Sequence, residues 1–187
     1  RTERGEGEMV NGRLRMVCRR AAGRAGNGIV HPKPHSRMGG VATGAAYVYL
    51  EHALHELGLQ SQIPILKMGM SYPVDPVCVT EFAGMVDHLI VAEERRPLME
   101  GRIKEILSDA TRDGAVENPP PVWGKEFPFE LGGFPATLGL NPTIVLRSLI
   151  PLPAEVDDVR VTPQRLDRDL KPVAAPPTRA PRAPAPL

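Results

Sequence analysis

The stretch IPILKMGMSYPVDPVCVTEFAGMVDHLIVAEERRPLMEGRIKEIL, residues 63–107, alternates short apolar runs with helical patterns twice over and is bounded by turn residues. Residues 63–68 form an apolar run too short for a helix and closed by Gly69. Residues 88–92 form a second run, which ends in the charged cluster Glu93, Glu94, Arg95 and Arg96. Both read as buried parallel strands. Between them Asp75 is placed as an N-cap with Pro76 at the first helical position, and Val79, Phe82, Ala83 and Val86 fall on one helical face. The pattern predicts one βαβ unit with a right-handed crossover. The charged end of the second strand then lies at the carboxyl edge of the sheet, where open α/β folds place ligands or partners.

Working outward, Pro97 begins a helix with Met99, Ile103, Ile106 and Leu107 as its apolar stripe, and Glu100, Arg102, Lys104 and Glu105 are expected to face water. Upstream, residues 38–62 give a short strand around Val41. A turn through Thr43 and Gly44 leads into a helix with Tyr47, Leu50, Leu54 and Leu57 on one face, and Gly58 ends it. A glycine at a strand-to-helix turn is a feature of phosphate loops. Here it stands alone, without the spaced glycines or the lysine of those loops, so Thr43 reads as an N-cap. Downstream, the triple proline 119–121 closes a loop, residues 121–125 offer a fourth strand at the sheet edge, and residues 127–140 are irregular. Asn141 and Pro142 then cap a last helix carrying Ile144, Val145, Leu149 and Ile150 inward. The expectation is an α/β fold with strands near 40–43, 64–68 and 88–93 and helices near 44–58, 76–86 and 97–108.

Composition narrows the function classes. The 23 basic and 22 acidic residues nearly cancel, and a net charge of +1 supplies no field to recruit nucleic acid or a membrane surface. Aromatic content of 4% leaves the core to Leu, Ile, Val, Ala and Met. Cys18 and Cys78 lie far apart in unlike segments, which argues against a structural disulfide and for a reduced cytoplasmic setting. No apolar run approaches the roughly 20 residues of a membrane span. His31 and His35 are spaced i, i+4, but Pro32 and Pro34 forbid the helix that would make them ligands, and His52 and His55 have no acidic or cysteine partner at ligand spacing. The single Trp123 reads as a packing anchor, not a stacking platform for a base.

Three segments follow. Residues 1–37 carry nine Lys and Arg among Gly, Ala and Pro, with only a brief apolar patch at Leu14, Met16 and Val17. Without aromatic interleaving they read as a disordered segment, not an arm for nucleic acid. Residues 38–150 form the α/β domain. Residues 151–187 turn rich in Pro, Ala, Arg and Asp and read as a linker or tail.

The runs GGVATGAAYVYLEHALHELGL, PILKMGMSYPVD, VDHLIVAEERRPLMEGRIKEIL and VWGKEFP, in that order and at these distances, resemble the alpha subunits of the indolepyruvate ferredoxin oxidoreductase family over roughly residues 39–150. The resemblance implies the second domain of such a subunit: a transketolase-C-terminal-like, three-layer module with a mainly parallel sheet of four to five strands. It also implies a parent enzyme that oxidatively decarboxylates aryl 2-oxo acids to acyl-CoA using thiamine diphosphate, Mg and [4Fe-4S] clusters, with ferredoxin and a beta subunit as partners. None of these cofactors is expected on this chain itself. The family continues into a CPGCPH stretch, whereas this sequence ends PRAPAPL, so it looks like a fragment that is inactive alone. The resemblance carries over no catalytic residue.

For contacts with neighbouring domains the candidates are Glu93, Glu94, Arg95 and Arg96. The competing reading is a free-standing α/β module for a nucleotide- or CoA-like ligand, with Lys67, Arg95, Arg96 and Lys125 lining one cleft.

Overall fold

The computed structural model describes residues 26–128, 132–137 and 139–151. Its strands are β1 (Gly28–Val30), β2 (Ser36–Thr43), β3 (Ile65–Met68), β4 (Val86–Ala92) and β5 (Val122–Trp123). Its helices are α1 (Gly44–Glu56), α2 (Pro76–Ala83), α3 (Leu98–Arg112) and α4 (Pro142–Leu149). The sheet order is β1-β3-β2-β4-β5, with β1 antiparallel to β3 and the other neighbours parallel. Leu50, Leu54, Ile65, Ile90 and Val145 share one core beneath α1 and α4, and Val41, Phe82, Leu89, Val91 and Ile103 share the other beneath α2 and α3. The molecule is therefore a three-layer α/β fold with a mainly parallel five-stranded sheet, as the alternation predicts.

The middle of the sheet differs from expectation. β2 starts at Ser36, not near 40, and lies between β3 and β4, so the β3-α2-β4 crossover passes over it. Its Gly39 and Gly40 sit inside the strand, where both helical layers press on it. A Cβ at Gly39 would meet Phe82 Cζ and Val86 Cγ1 at 2.8 Å, and one at Gly40 would meet Leu50 Cδ2 at 2.7 Å. The two glycines alternate faces, one admitting α2 and the other α1. β1 corrects the reading of residues 1–37 in its described part: Gly28, Ile29 and Val30 pair with Lys67, Leu66 and Ile65 and cover the edge of β3.

Two boundaries move for local reasons. α2 stops at Ala83, not near 86, because Gly84 caps it. Met85 then returns a bond to Phe82, and Val86 joins β4 opposite Ser36. α3 runs on to Arg112, four residues past the expected end near 108. Asp75 and Asn141 cap as predicted, accepting from Val77 N and Ile144 N. Beyond α1, Gly58 takes φ +71 and Leu59 N–H reaches back to Leu54 C=O, closing a Schellman turn. Thr43 departs from its predicted role. It stands at the N-cap position, yet its hydroxyl donates to Met68 C=O at 2.7 Å and ties the ends of β2 and β3 together.

Candidate functional site

The carboxyl ends of β2, β3 and β4 converge where the connections diverge, for α1 leaves to one face and α2 and α3 to the other. Such a switch in direction opens a crevice at the sheet edge. A cavity of about 570 Å³ lies there, lined by Thr43, by Ser71, Tyr72 and Val74 after β3, and by Glu93, Pro97, Met99 and Arg102 after β4, among others. Its lining is mostly apolar. Tyr72, 69% exposed, and Leu98, 77% exposed, stand on its rim.

The four contact candidates separate here. Glu93 is 7% exposed and belongs to the interior, in contrast to Glu94, Arg95 and Arg96, which are exposed. The cause lies in the start of α3. Pro97 precedes a helix whose first N–H groups have no intrahelical partner, and Glu93 supplies both carboxylate oxygens to them, accepting from Met99 N at 2.8 Å and Glu100 N at 2.9 Å. Glu100, expected to face water, is 4% exposed for a similar reason. It accepts from Lys125 N at 2.9 Å and pairs with Lys104 Nζ at 2.6 Å. Lys125 closes the network by donating to Glu93 C=O at 2.6 Å. Burial pushes its ammonium down from the ordinary value, while Glu93 and Glu100 pull it back up. Two carboxylates and two lysines thus tie the ends of β4 and β5 to the first turn of α3. The one hint in the sequence is an acid shortly before a helix that opens on proline.

The loop that follows Glu93 holds Arg95 at φ +56, a backbone region that side chains other than glycine rarely adopt, so residues 94–96 are presented outward in one shape. The basic cleft of the competing reading does not assemble. Lys67 is exposed on β3 with its ammonium 4.5 Å from the centroid of the Tyr47 ring, Lys125 is committed to Glu93, and neither lysine nor Arg95 nor Arg96 lines the cavity. Thr43 and Gly44 offer no phosphate loop beyond a single positive φ at Gly44.

Elsewhere the polar groups serve structure. Cys78 donates to Asp75 Oδ2 at 3.0 Å, and burial first, then this bond, pushes its thiol up to about 11, so it is a poor nucleophile near neutral pH. His88 stacks on Trp123 with ring centroids 4.6 Å apart. Trp123 is a packing anchor as predicted, and His52 and His55 are exposed. His35 contacts Asp87 at 3.3 Å. Cys18 lies outside the described residues. Among the described residues no group of three His, Cys, Asp or Glu side chains is placed to hold a metal ion, and no helix is long and apolar enough to cross a membrane. The described donor set does not fit a [4Fe-4S] cluster or a magnesium diphosphate.

Comparison with known proteins places the chain. Residues 28–151 match the family model of the indolepyruvate oxidoreductase domain. The indolepyruvate oxidoreductase subunit IorA of Methanothermobacter marburgensis is 36% identical over 88 residues, which is 47% of this chain and 13% of that protein. The same subunit of Methanothermobacter thermautotrophicus is 37% identical over 78 residues, 42% of this chain and 12% of that protein. These alignments span about an eighth of the relatives' length. A solved structure described as a split gene transketolase, inactive beta4 tetramer, superposes with a TM-score of 0.48 at 18% identity, over 67% of this chain and 41% of that one.

Proposed function

Because the chain belongs to the indolepyruvate oxidoreductase domain family, we propose that it works as a non-catalytic domain of a thiamine-diphosphate-dependent aryl 2-oxoacid:ferredoxin oxidoreductase. In this reading the parent enzyme decarboxylates an aryl 2-oxo acid oxidatively to an acyl-CoA in the cytoplasm and passes the electrons to ferredoxin. Thiamine diphosphate, Mg and the [4Fe-4S] clusters sit on other domains or on the beta subunit. This domain contributes packing and contacts. The observation that carries the proposal is the family match over residues 28–151, joined to a sheet edge whose carboxylates are consumed in holding α3 and β5. A general acid or base needs a free proton site within reach of substrate, and Glu93 and Glu100 spend their oxygens on backbone N–H groups and Lys104 instead. The exposed residues Glu94, Arg95 and Arg96 are the contact loop for a neighbouring domain.

The test is calorimetric titration of the purified chain with magnesium and thiamine diphosphate, beside a dye-reduction assay with indolepyruvate and CoA. Neither binding nor turnover is expected from the chain alone, and turnover is expected when the remaining domains and the beta subunit are supplied. Tight cofactor binding or turnover by the chain alone would overturn the proposal, as would unchanged activity of the assembled enzyme without this domain.

A further inference from the structure

The most exposed large apolar side chains among the described residues, Tyr72 and Leu98, stand at the mouth of one cavity. The loop from β4 to α3 runs along that mouth: Glu94 and Pro97 line the cavity, and Arg95 and Arg96 are the two residues between them. The loop has a set shape, for Arg95 sits at φ +56 and Leu98 N–H donates to Arg96 C=O at 2.9 Å. Glu94, Arg95 and Arg96 are exposed and form no ion pair among the described residues. The other charges at the cavity are matched within the domain. Arg102 holds Glu105 at 2.6 Å, and Glu93 accepts from N–H groups of α3. One carboxylate and two guanidiniums of a single short loop therefore stand uncompensated beside an apolar mouth.

Charge of both signs on one loop selects the partner. A surface of one sign would be attracted by part of the loop and repelled by the rest. A second copy turned about a twofold axis offers a carboxylate to each guanidinium pair and a guanidinium pair to each carboxylate, because in such an interface residue i meets j and j meets i. We propose that this face is an isologous interface between two copies of the chain. Leu98 of each copy enters the cavity of the other beside Tyr72, and Glu94 of each pairs with Arg95 and Arg96 of the other. Tyr and Arg are enriched at the centres of protein interfaces, and here they surround an aliphatic side chain that has a cavity to fill. The apolar insertion supplies the affinity, and the exposed charges set the register. The proposal rests on the reading of residues 94–96 as a contact loop and names the neighbouring domain as the same domain of a second chain.

Sedimentation velocity on the full chain over a concentration series is the test. A dimer is expected. L98S, E94R and R95E/R96E should each raise its dissociation constant by at least about tenfold, in chains whose circular dichroism and Tm match the parent. An equimolar mixture of the E94R chain and the R95E/R96E chain is expected to restore the dimer, because both sets of pairs are then again of opposite sign. A monomer at every concentration, a dimer indifferent to all three variants, or a mixture that stays monomeric overturns the proposal. Binding to the remaining domains of the parent enzyme separates the two readings. A monomeric chain that binds those domains through residues 94–96 overturns the twofold interface and leaves the domain-contact reading standing. A chain that dimerises as described without binding them supports the interface and counts against the enzymatic reading.

Discussion

Glu93 carries more of this domain than its place in a charged run suggests. It anchors two N–H groups at the start of α3, and its own carbonyl receives Lys125. Glu93→Gln keeps one acceptor and turns an amide donor toward a backbone donor, so a loss of about 1–2 kcal/mol is expected. Glu93→Ala leaves both N–H groups unpaired and should cost about 2–3 kcal/mol, with denaturant midpoints as the measurement. His88 sets a pH dependence of known sign. Burial lowers its pKa from 6.5; Asp87 partly opposes this and Arg37 adds to it. The unfolded chain therefore takes up the proton at higher pH than the folded one. The neutral ring's contribution is fully present above about pH 6.5 and is lost as pH falls through the folded value. His88→Phe keeps a ring on Trp123 without a titrating group. Thermal unfolding from about pH 7.5 down to about pH 5.5 is expected to show a smaller fall in Tm for this variant than for the parent chain, and an equal fall would assign the effect to other histidines.

Among the elements, α3 depends most on its surroundings. Its stripe of Met99, Ile103, Ile106 and Leu107 is buried, while its N-terminus rests on β4 through Glu93 and on the end of β5 through Glu100. Two glycines near it make opposite predictions. Gly101 lies within the helix, exposed and with nothing within 4 Å of an added Cβ, so Gly101→Ala should stabilise by about 0.5–1 kcal/mol through helix propensity and a smaller unfolded-state entropy. A Cβ at Gly124 would instead collide with the Glu100 carboxylate and meet Val91 C=O at 3.0 Å. Gly124→Ala is expected to cost about 1–3 kcal/mol by displacing Glu100 from Lys125 N. Urea denaturation of the two variants side by side checks both signs.

For the whole molecule the order β1-β3-β2-β4-β5 puts β2 at the centre, with a strand on either side and a helical layer on each face. Hydrogen exchange should follow that arrangement. The amides of residues 38–42 are expected to exchange most slowly, through global unfolding, and those of β1 and β5, three and two residues long at the edges, to exchange fastest among the strands. Slow exchange confined to β3 and β4 would mean that the central strand opens on its own. The sheet is also what brings the charged loop after β4 and the loop after β3 to one edge, where the proposed domain contacts lie.

The sequence alone determined the fold class, the three strands with the strongest apolar runs, the stripes of α1 and α3, that of α2 apart from Val86, and the caps Asp75 and Asn141. Each of these rests on residues within one or two turns of each other, where periodicity and capping chemistry act. Tertiary structure decided what local pattern could not. β2 reaches back to Ser36 and takes in Gly39, whose missing side chain leaves space that Phe82 needs, and residues 28–30 form a strand because β3 has an edge to pair. Glu93 and Glu100 are interior because their partners, N–H groups of α3 and of Lys125, are supplied by chain folded back against them. A carboxylate in a charged run looks solvated until a donor from another element meets it; burial then depends on hydrogen-bond satisfaction across the fold, not on the neighbours in sequence.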